Sequence, residues 1–264
     1  MHILKQPDMD GMPCPDTLIH GDCLEAMKHI ADGSVNMILA DLPYSTTNLH
    51  WDTIIPFVPL WEAYKRVIKP GGAIVLTGSQ PFTTDLINSN RAWFRYEWIW
   101  QKERGSNWQH ANRQPMKVHE NVLVFYDKQP TYNPQKTGTD KSVYFAPVKR
   151  SRPVPHLVEK SSCSQFHPGG TYVGKFPVSV QVIARDKQVH GTQKPVALFE
   201  YLIKTYTNPG ELVLDNCLGS GTTAVACLNT SRRYIGIEKD DEYFKVAVER
   251  VRTQQNELAS ILQF

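Results

Sequence analysis

No stretch of this 264-residue chain approaches the roughly 18 consecutive apolar residues that a membrane helix needs. The opening residues, MHILKQPDMDGMPCPD, hold no apolar segment of the kind a secretory signal carries. Cysteine is sparse: Cys14, Cys23, Cys163, Cys217 and Cys227 are the only five, and none forms a C-x-x-C pair. That odd, scattered set excludes a disulfide framework and a zinc site of the usual spacing, so no metal is expected. Cys217 and Cys227 read instead as small buried hydrophobes in a reducing cytoplasm, with no membrane partner.

Acidic residues are scarce in one region only. Between residues 101 and 194 there are 15 Lys/Arg against 6 Asp/Glu, whereas the rest of the chain holds 14 against 20. A basic middle between acidic ends suggests a polyanion-facing module set into a domain that need not face one. Charge alone fits a solvated Lys-rich loop equally well.

The pattern of apolar residues predicts alternating strands and helices at both ends of the chain. Val35 to Ala40, Ala73 to Thr77, Tyr96 to Gln101 and Glu120 to Tyr126 read as strands, with a helix from Phe57 to Ile68 stopped by Lys69-Pro-Gly-Gly72. From Asp127 to about His190 the periodicity fails, and Pro, Gly, Ser, Lys and Arg dominate. So long a structureless loop is unusual in a compact domain, and an inserted binding region is the better reading. Regular pattern returns with a helix over Val196 to Thr205 and a strand over Glu211 to Asp215. A helix over Gly221 to Asn229, a strand over Tyr234 to Glu238 and a helix from about Asp240 to Leu262 follow. The expected fold is α/β, a doubly wound sheet of the Rossmann kind interrupted by the basic insertion.

Two loops carry chemistry. The first ends the strand at Asp215 and turns through Gly219-Ser220-Gly221-Thr222-Thr223 into a helix. Glycines there permit a tight turn and close ligand approach, and Glu238, ending the next strand, can bind a ribose diol. The pattern also fits a dinucleotide loop. Asp215 favours a different ligand, since a carboxylate would repel a pyrophosphate but suits a zwitterion bearing a sulfonium.

The second loop is Asp41-Leu42-Pro43-Tyr44, at a strand end in the first half. An exocyclic base amine is a poor nucleophile, because its lone pair is delocalised into the ring. Hydrogen bonds accepted from that amine would pull the nitrogen toward tetrahedral geometry. Asp41 and the carbonyl of Leu42 are candidate acceptors, Pro43 restrains Leu42, and Tyr44 offers a face for a flipped base. Taken alone, the tetrapeptide could equally be a turn.

The order of these features resembles the DNA amino-methyltransferases, whose catalytic motif is (D/N/S)PP(Y/F/W). More narrowly it resembles their permuted β group, in which the catalytic half precedes the cofactor half, as in small phage and prophage enzymes. Gly21-Asp22-Cys23-Leu24-Glu25 resembles the group's opening motif, and His190-Gly-Thr192-Gln-Lys194-Pro195 its HPTQKP. Asp215 to Thr223 resembles its DPFxGSGTT. Leu42, Gly191 and Asn216-Cys217 depart from those patterns.

The resemblance implies a methyltransferase domain over 18–264, with a catalytic half at 18–101 and a cofactor half at 190–264. Between them, 102–189 would be a target-recognition region. It implies S-adenosylmethionine as cofactor, held by Asp22, Asp41, Thr192, Lys194, Asp215, Gly219, Ser220, Gly221, Thr222, Thr223 and Glu238. Double-stranded DNA is the implied partner, contacted by Arg104, Asn107, Arg113, Lys149, Arg150 and Arg152, with a homodimer as a candidate assembly. Asp41 at the head of the tetrapeptide implies adenine N6, with cytosine N4 as the alternative. A nicotinamide oxidoreductase, a methyltransferase of RNA or of protein glutamine, and a non-enzymatic nucleic-acid-binding relative are the competing readings. The carboxylates and the motif order disfavour the first two, and the intact Asp41 and glycines disfavour the last.

Overall fold

Short apolar runs between turn residues form the centre of the fold because both of their faces are covered. The structure is a computed structural model that describes residues 2–3, 16–45, 52–143, 171–186 and 193–261. Its first half contains β1 (His2–Ile3), β2 (Thr17–His20), α1 (Cys23–Met27), β3 (Val35–Ala40), α2 (Phe57–Val67), β4 (Ile68–Gly78), α3 (Phe82–Ser89), β5 (Phe94–Ser106) and β6 (Lys117–Phe125). Then come β7 (Thr137–Val143), β8 (Thr171–Lys175), β9 (Val180–Val182), α4 (Val196–Tyr206), β10 (Leu212–Asp215), α5 (Thr222–Asn229), β11 (Arg233–Glu238) and α6 (Asp241–Ile261).

Among the described residues, nine strands make one sheet in the order β1-β2-β11-β10-β3-β4-β6-β5-β9. From β2 to β4 neighbouring strands are parallel, while β6 runs antiparallel to both β4 and β5. Alternate side chains enter two cores, as the two-residue period of a strand requires. Met37, Leu39, Ala73, Val75 and Val213 pack with α4, α5 and α6 residues such as Phe199, Ala226 and Phe244. Ile38, Ala40, Ile74, Leu76 and Leu214 pack on the other side with Met27, Leu60, Tyr64 and Phe82. The sheet is doubly wound, as expected.

Most expected elements lie within a residue or two of their anticipated ends. β4 is longer: Val35 pairs with Ile68 and Met37 with Ala73, so Lys69–Gly72 bulge out within the strand rather than before it. β5 and β6 also run further than the apolar pattern, to Ser106 and from Lys117. The helices α1 and α3 carried no clear periodic signal. Asp22 starts α1, accepting hydrogen bonds from the backbone N–H groups of Leu24 (3.0 Å) and Glu25 (3.4 Å).

The chain forms two compact units, one of residues 1–133 with 179–264 and one of Pro134–Val178. In the smaller unit β7 pairs antiparallel with β8, from Thr137↔Lys175 to Val143↔Thr171, and the Lys136 ammonium lies 4.4 Å from the centre of the Phe176 ring. Among the described residues no helix is long and apolar enough to cross a membrane.

Candidate active site

β3 and β10 are neighbours whose chains depart in opposite directions, β3 toward β4 and β10 toward β11. Such a switch point leaves a crevice beyond the carboxyl ends of the two strands, where open α/β sheets bind ligands. Asp215 is the last residue of β10, and Asp41 directly follows β3. Both line a cavity of about 640 Å³, with Asp22, Gly219, Glu238 and Lys194.

The glycine loop forms the floor of this cavity. Gly219 and Gly221 have φ of 56° and 89°, in the region that favours glycine. A side chain at Gly221 would also stand 3.1 Å from Ala247 Cα, tighter than an ordinary contact, so α6 or the loop would have to shift to admit it. Glu238 holds the turn, accepting from the Gly219 N–H at 2.7 Å and the Asp240 N–H at 2.7 Å. Asp215 is buried, accepting from the Cys217 N–H at 2.9 Å and from the Thr223 hydroxyl. Burial pushes Asp215 up to about 7 against those hydrogen bonds, with the negative charges of Asp41 and Glu238 adding to the rise. Burial also raises Glu238.

Ser220 and Thr222 also line the cavity, and both are held by protein hydrogen bonds. The Arg250 guanidinium of α6 donates to Ser220 O at 2.7 Å and Ser220 Oγ at 2.8 Å, and Thr222 Oγ1 donates to the Lys194 carbonyl at 3.4 Å. Arg250 bears no motif signal in the sequence. Asp22, besides capping α1, lies 3.4 Å from the Lys239 ammonium. Thr192 lies outside the described residues.

At the tetrapeptide, Leu42 is buried in the apolar core while the Asp41 side chain keeps 27% of its surface exposed. Asp41 Oδ1 accepts from the Tyr44 hydroxyl at 2.5 Å and from the Thr77 hydroxyl, and those two hydroxyls are 2.9 Å apart. Oδ2 accepts from Lys194 Nζ at 2.6 Å. A carboxylate oxygen has about two acceptor directions, so Oδ2 retains capacity for one further donor. The Tyr44 ring stacks on Phe82, 5.0 Å between centroids, and burial with the Asp41 charge keeps its hydroxyl protonated. Pro43 lines the cavity.

Lys194 was expected to hold cofactor, yet its ammonium is committed elsewhere. It is 7% exposed and lies between Asp41 and Glu120, 3.3 Å from Glu120 Oε2, which accepts no well-aligned hydrogen bond. Glu120 Oε1 in turn accepts from Lys102 Nζ at 2.5 Å. Burial would strip the proton from Lys194, but the two carboxylates outweigh it and hold the ammonium above its usual range. Burial likewise opposes the Glu120 charge, and Lys194 and Lys102 outweigh that, holding its carboxyl below the usual value. The result is an alternating chain of Lys102, Glu120, Lys194 and Asp41. Thr77, Glu120 and Lys102 were not anticipated. The only sequence hint was a glutamate heading the apolar run Asn121–Phe125.

Arg104, Asn107 and Arg113 are exposed on the β5–β6 hairpin, and none of them lines the cavity. Lys149, Arg150 and Arg152 lie outside the described residues.

Comparison with known proteins agrees with this geometry. A family model described as DNA methylase, for N6 and N4 enzymes, matches residues 35–249. The type II methyltransferase M.HpaI of Haemophilus parainfluenzae is 27% identical over 259 residues, covering 92% of this chain and 76% of the relative. DNA adenine methyltransferase YhdJ of Escherichia coli (strain K12) is 28% identical, covering 89% of this chain and 82% of its own. Among solved structures, the M1.HpyAVI-SAM complex is 25% identical with a TM-score of 0.59, over 88% of this chain and 98% of that one. With both strand-end carboxylates, the glycine loop and the order of the two halves in place, the chain belongs to the DNA methylases of the N6 and N4 family.

Proposed function

We propose that the protein transfers a methyl group from S-adenosylmethionine to the N6 amine of an adenine in double-stranded DNA. The observation that carries this reading is that Asp41 lines the same cavity as Asp215, Gly219 and Glu238. The adenine assignment is supported by Asp at the head of the tetrapeptide and by the name of the relative YhdJ.

The cavity fits the cofactor chemically. Buried Asp215 offers a negative charge to a cationic ligand, Glu238 retains acceptor capacity for a diol, and the Gly219–Gly221 turn exposes backbone for close approach. The cofactor supplies an electrophilic methyl on a sulfonium. Tyr44, Thr77 and Lys194 hold the Asp41 carboxylate, so that the remaining acceptor direction of Oδ2 takes one N–H of the target amine. That hydrogen bond aims the nitrogen lone pair and stabilises the positive charge growing on it. Residues 102–189 supply the duplex contacts, and a cytoplasmic setting and a homodimer accompany the reading.

Labelled methyl donor and mixed-sequence duplex, followed by mass spectrometry of the nucleosides, test it. N6-methyladenine is the expected product. N4-methylcytosine would move the assignment to cytosine, and no labelled base at all would overturn the function.

The buried Asp215 makes cofactor binding pH-dependent. A cationic ligand pairs with the ionised carboxylate, whose pKa of about 7 in the free protein leaves it partly protonated below neutrality. Binding then releases a proton, and affinity falls roughly tenfold per pH unit below 7. Calorimetry at pH 6 and 8, in buffers of different ionisation enthalpy, reads that proton directly. Equal affinity at the two pH values, with no proton released, would mean that Asp215 does not face the cation.

A further inference from the structure

β5 and β6 outrun the sheet. β6 pairs with β4 only as far as Gly78↔Asn121, but with β5 it continues through Trp100↔Glu120 and Gln101↔His119 to Ser106↔Lys117. Because β6 runs antiparallel to β4, this extension projects past the carboxyl edge on which Asp41 lies. Its foot is fixed to the active site: Glu120 pairs with Lys194, and Lys117 donates to Ser79. Between Gln101↔His119 and Ser106↔Lys117 the strand β5 bulges, spending five residues where β6 advances two, so at about 3.3 Å per residue the tip stands roughly 7–10 Å beyond Gln101.

The tip is a formed turn. Asn107 takes φ 65°, Trp108–His110 make one 3-10 turn, and the Arg113 and Gln114 N–H groups close on His110 O at 2.8 and 3.0 Å. Every residue from Asn107 to Met116 is exposed. No acid occurs between Arg104 and His119, a span that also holds His110, Arg113 and Lys117. Trp108 is 73% exposed, while Trp61, Trp98 and Trp100 are buried. A lone exposed apolar residue needs no explanation. An indole between cations, on a braced finger over the catalytic edge, does.

Alkylating a base amine requires the base to leave the stack, which opens a gap in the duplex. We propose that the hairpin tip engages the duplex, with Arg104 and Arg113 on phosphates, and that Trp108 stacks on the bases facing that gap. The inference rests on the DNA methyltransferase reading.

The test uses the full protein and a duplex carrying the sequence in which methylation is found, with 2-aminopurine at the methylated position. Wild type should bind and raise the 2-aminopurine emission as the base leaves the stack. Trp108→Ala should lower the equilibrium for extrusion roughly 5- to 150-fold, the range for one stacked base, and so reduce that emission. Mispairing the target base should restore much of it, because extrusion then costs less. Trp108→Phe should keep most of the wild-type signal. S-adenosylmethionine affinity should not change in either variant, since residue 108 lies on the exposed tip. Weaker duplex binding with undiminished emission would make Trp108 a groove contact and overturn the proposal, as would no change in binding or emission. A wild-type protein that methylates no DNA would instead overturn the function on which the proposal rests.

Discussion

Asp41→Ala should lower the single-turnover methylation rate at least 10²–10³-fold at saturating S-adenosylmethionine, because it deletes the acceptor that aims the target amine. Asp215, Glu238 and the glycine loop keep their own hydrogen bonds, so cofactor affinity should be nearly unchanged. Asp41→Asn should be milder, for a geometric reason. Lys194 only donates, so the amide oxygen must turn toward it and toward the target. The amide NH₂ then faces Tyr44 and Thr77, whose hydroxyls can rotate to accept. Wild-type rates in Asp41→Ala would reduce Asp-Leu-Pro-Tyr to a turn and remove the mechanism.

The other large effect is expected at Lys194. Lys194→Met leaves Asp41 without its ammonium and Glu120 with Lys102 alone, all at a site with little access to water. Breaking a buried ion pair by removing one partner costs about 3–5 kcal/mol, far more than an exposed pair would. Chemical denaturation should show that loss at pH 7. Methylation should fall as steeply as in Asp41→Ala, because a carboxylate released from Lys194 loses its aim. Adding Glu120→Gln to Lys194→Met should recover part of the stability, since one stranded charge is then gone, but little of the activity. A Lys194→Met protein as stable and as fast as wild type would show that the four-charge chain does nothing for the site.

The fold was legible wherever burial on both faces left a continuous apolar run. β3 begins and ends at the expected residues because Val35 to Ala40 is apolar but for Asn36 and stops at a carboxylate. The short α1 escaped notice, since five residues cannot display a helical period, and Asp22 stood out as a ligand residue rather than as a cap. The site was half legible. Asp41, Asp215, the glycines and Glu238 could be named because each sits at a strand end beside a turn. Thr77, Glu120 and Lys102 looked like ordinary polar residues in strands. What gives them a role is contact across long separations: Thr77 lies 36 residues from Asp41, and Asp41 lies 153 from Lys194. The pairings of β3 with β4, β4 with β6 and β6 with β5 bring these side chains together, and no single segment records them.

The strand order also governs when this protein can come into being on the ribosome. β2 and β3 are made early and close together in sequence, yet in the sheet β11 and β10 stand between them. Among the described strands those two come latest in the chain, and β11 is aligned on β2 from Ile235↔Thr17 to Glu238↔His20. Until residues 212–238 emerge, β2 lacks its parallel neighbour and β3 exposes one edge along its length. Unpaired edges of this kind invite pairing with other nascent chains, and distant pairings close slowly. The crevice itself exists only after that late insertion, because one wall is the end of β3 and the other the end of β10. An amputated N-terminal half would therefore carry Asp41 with no cofactor wall opposite it, and the emerging chain cannot alkylate DNA before residues 212–238 have been made.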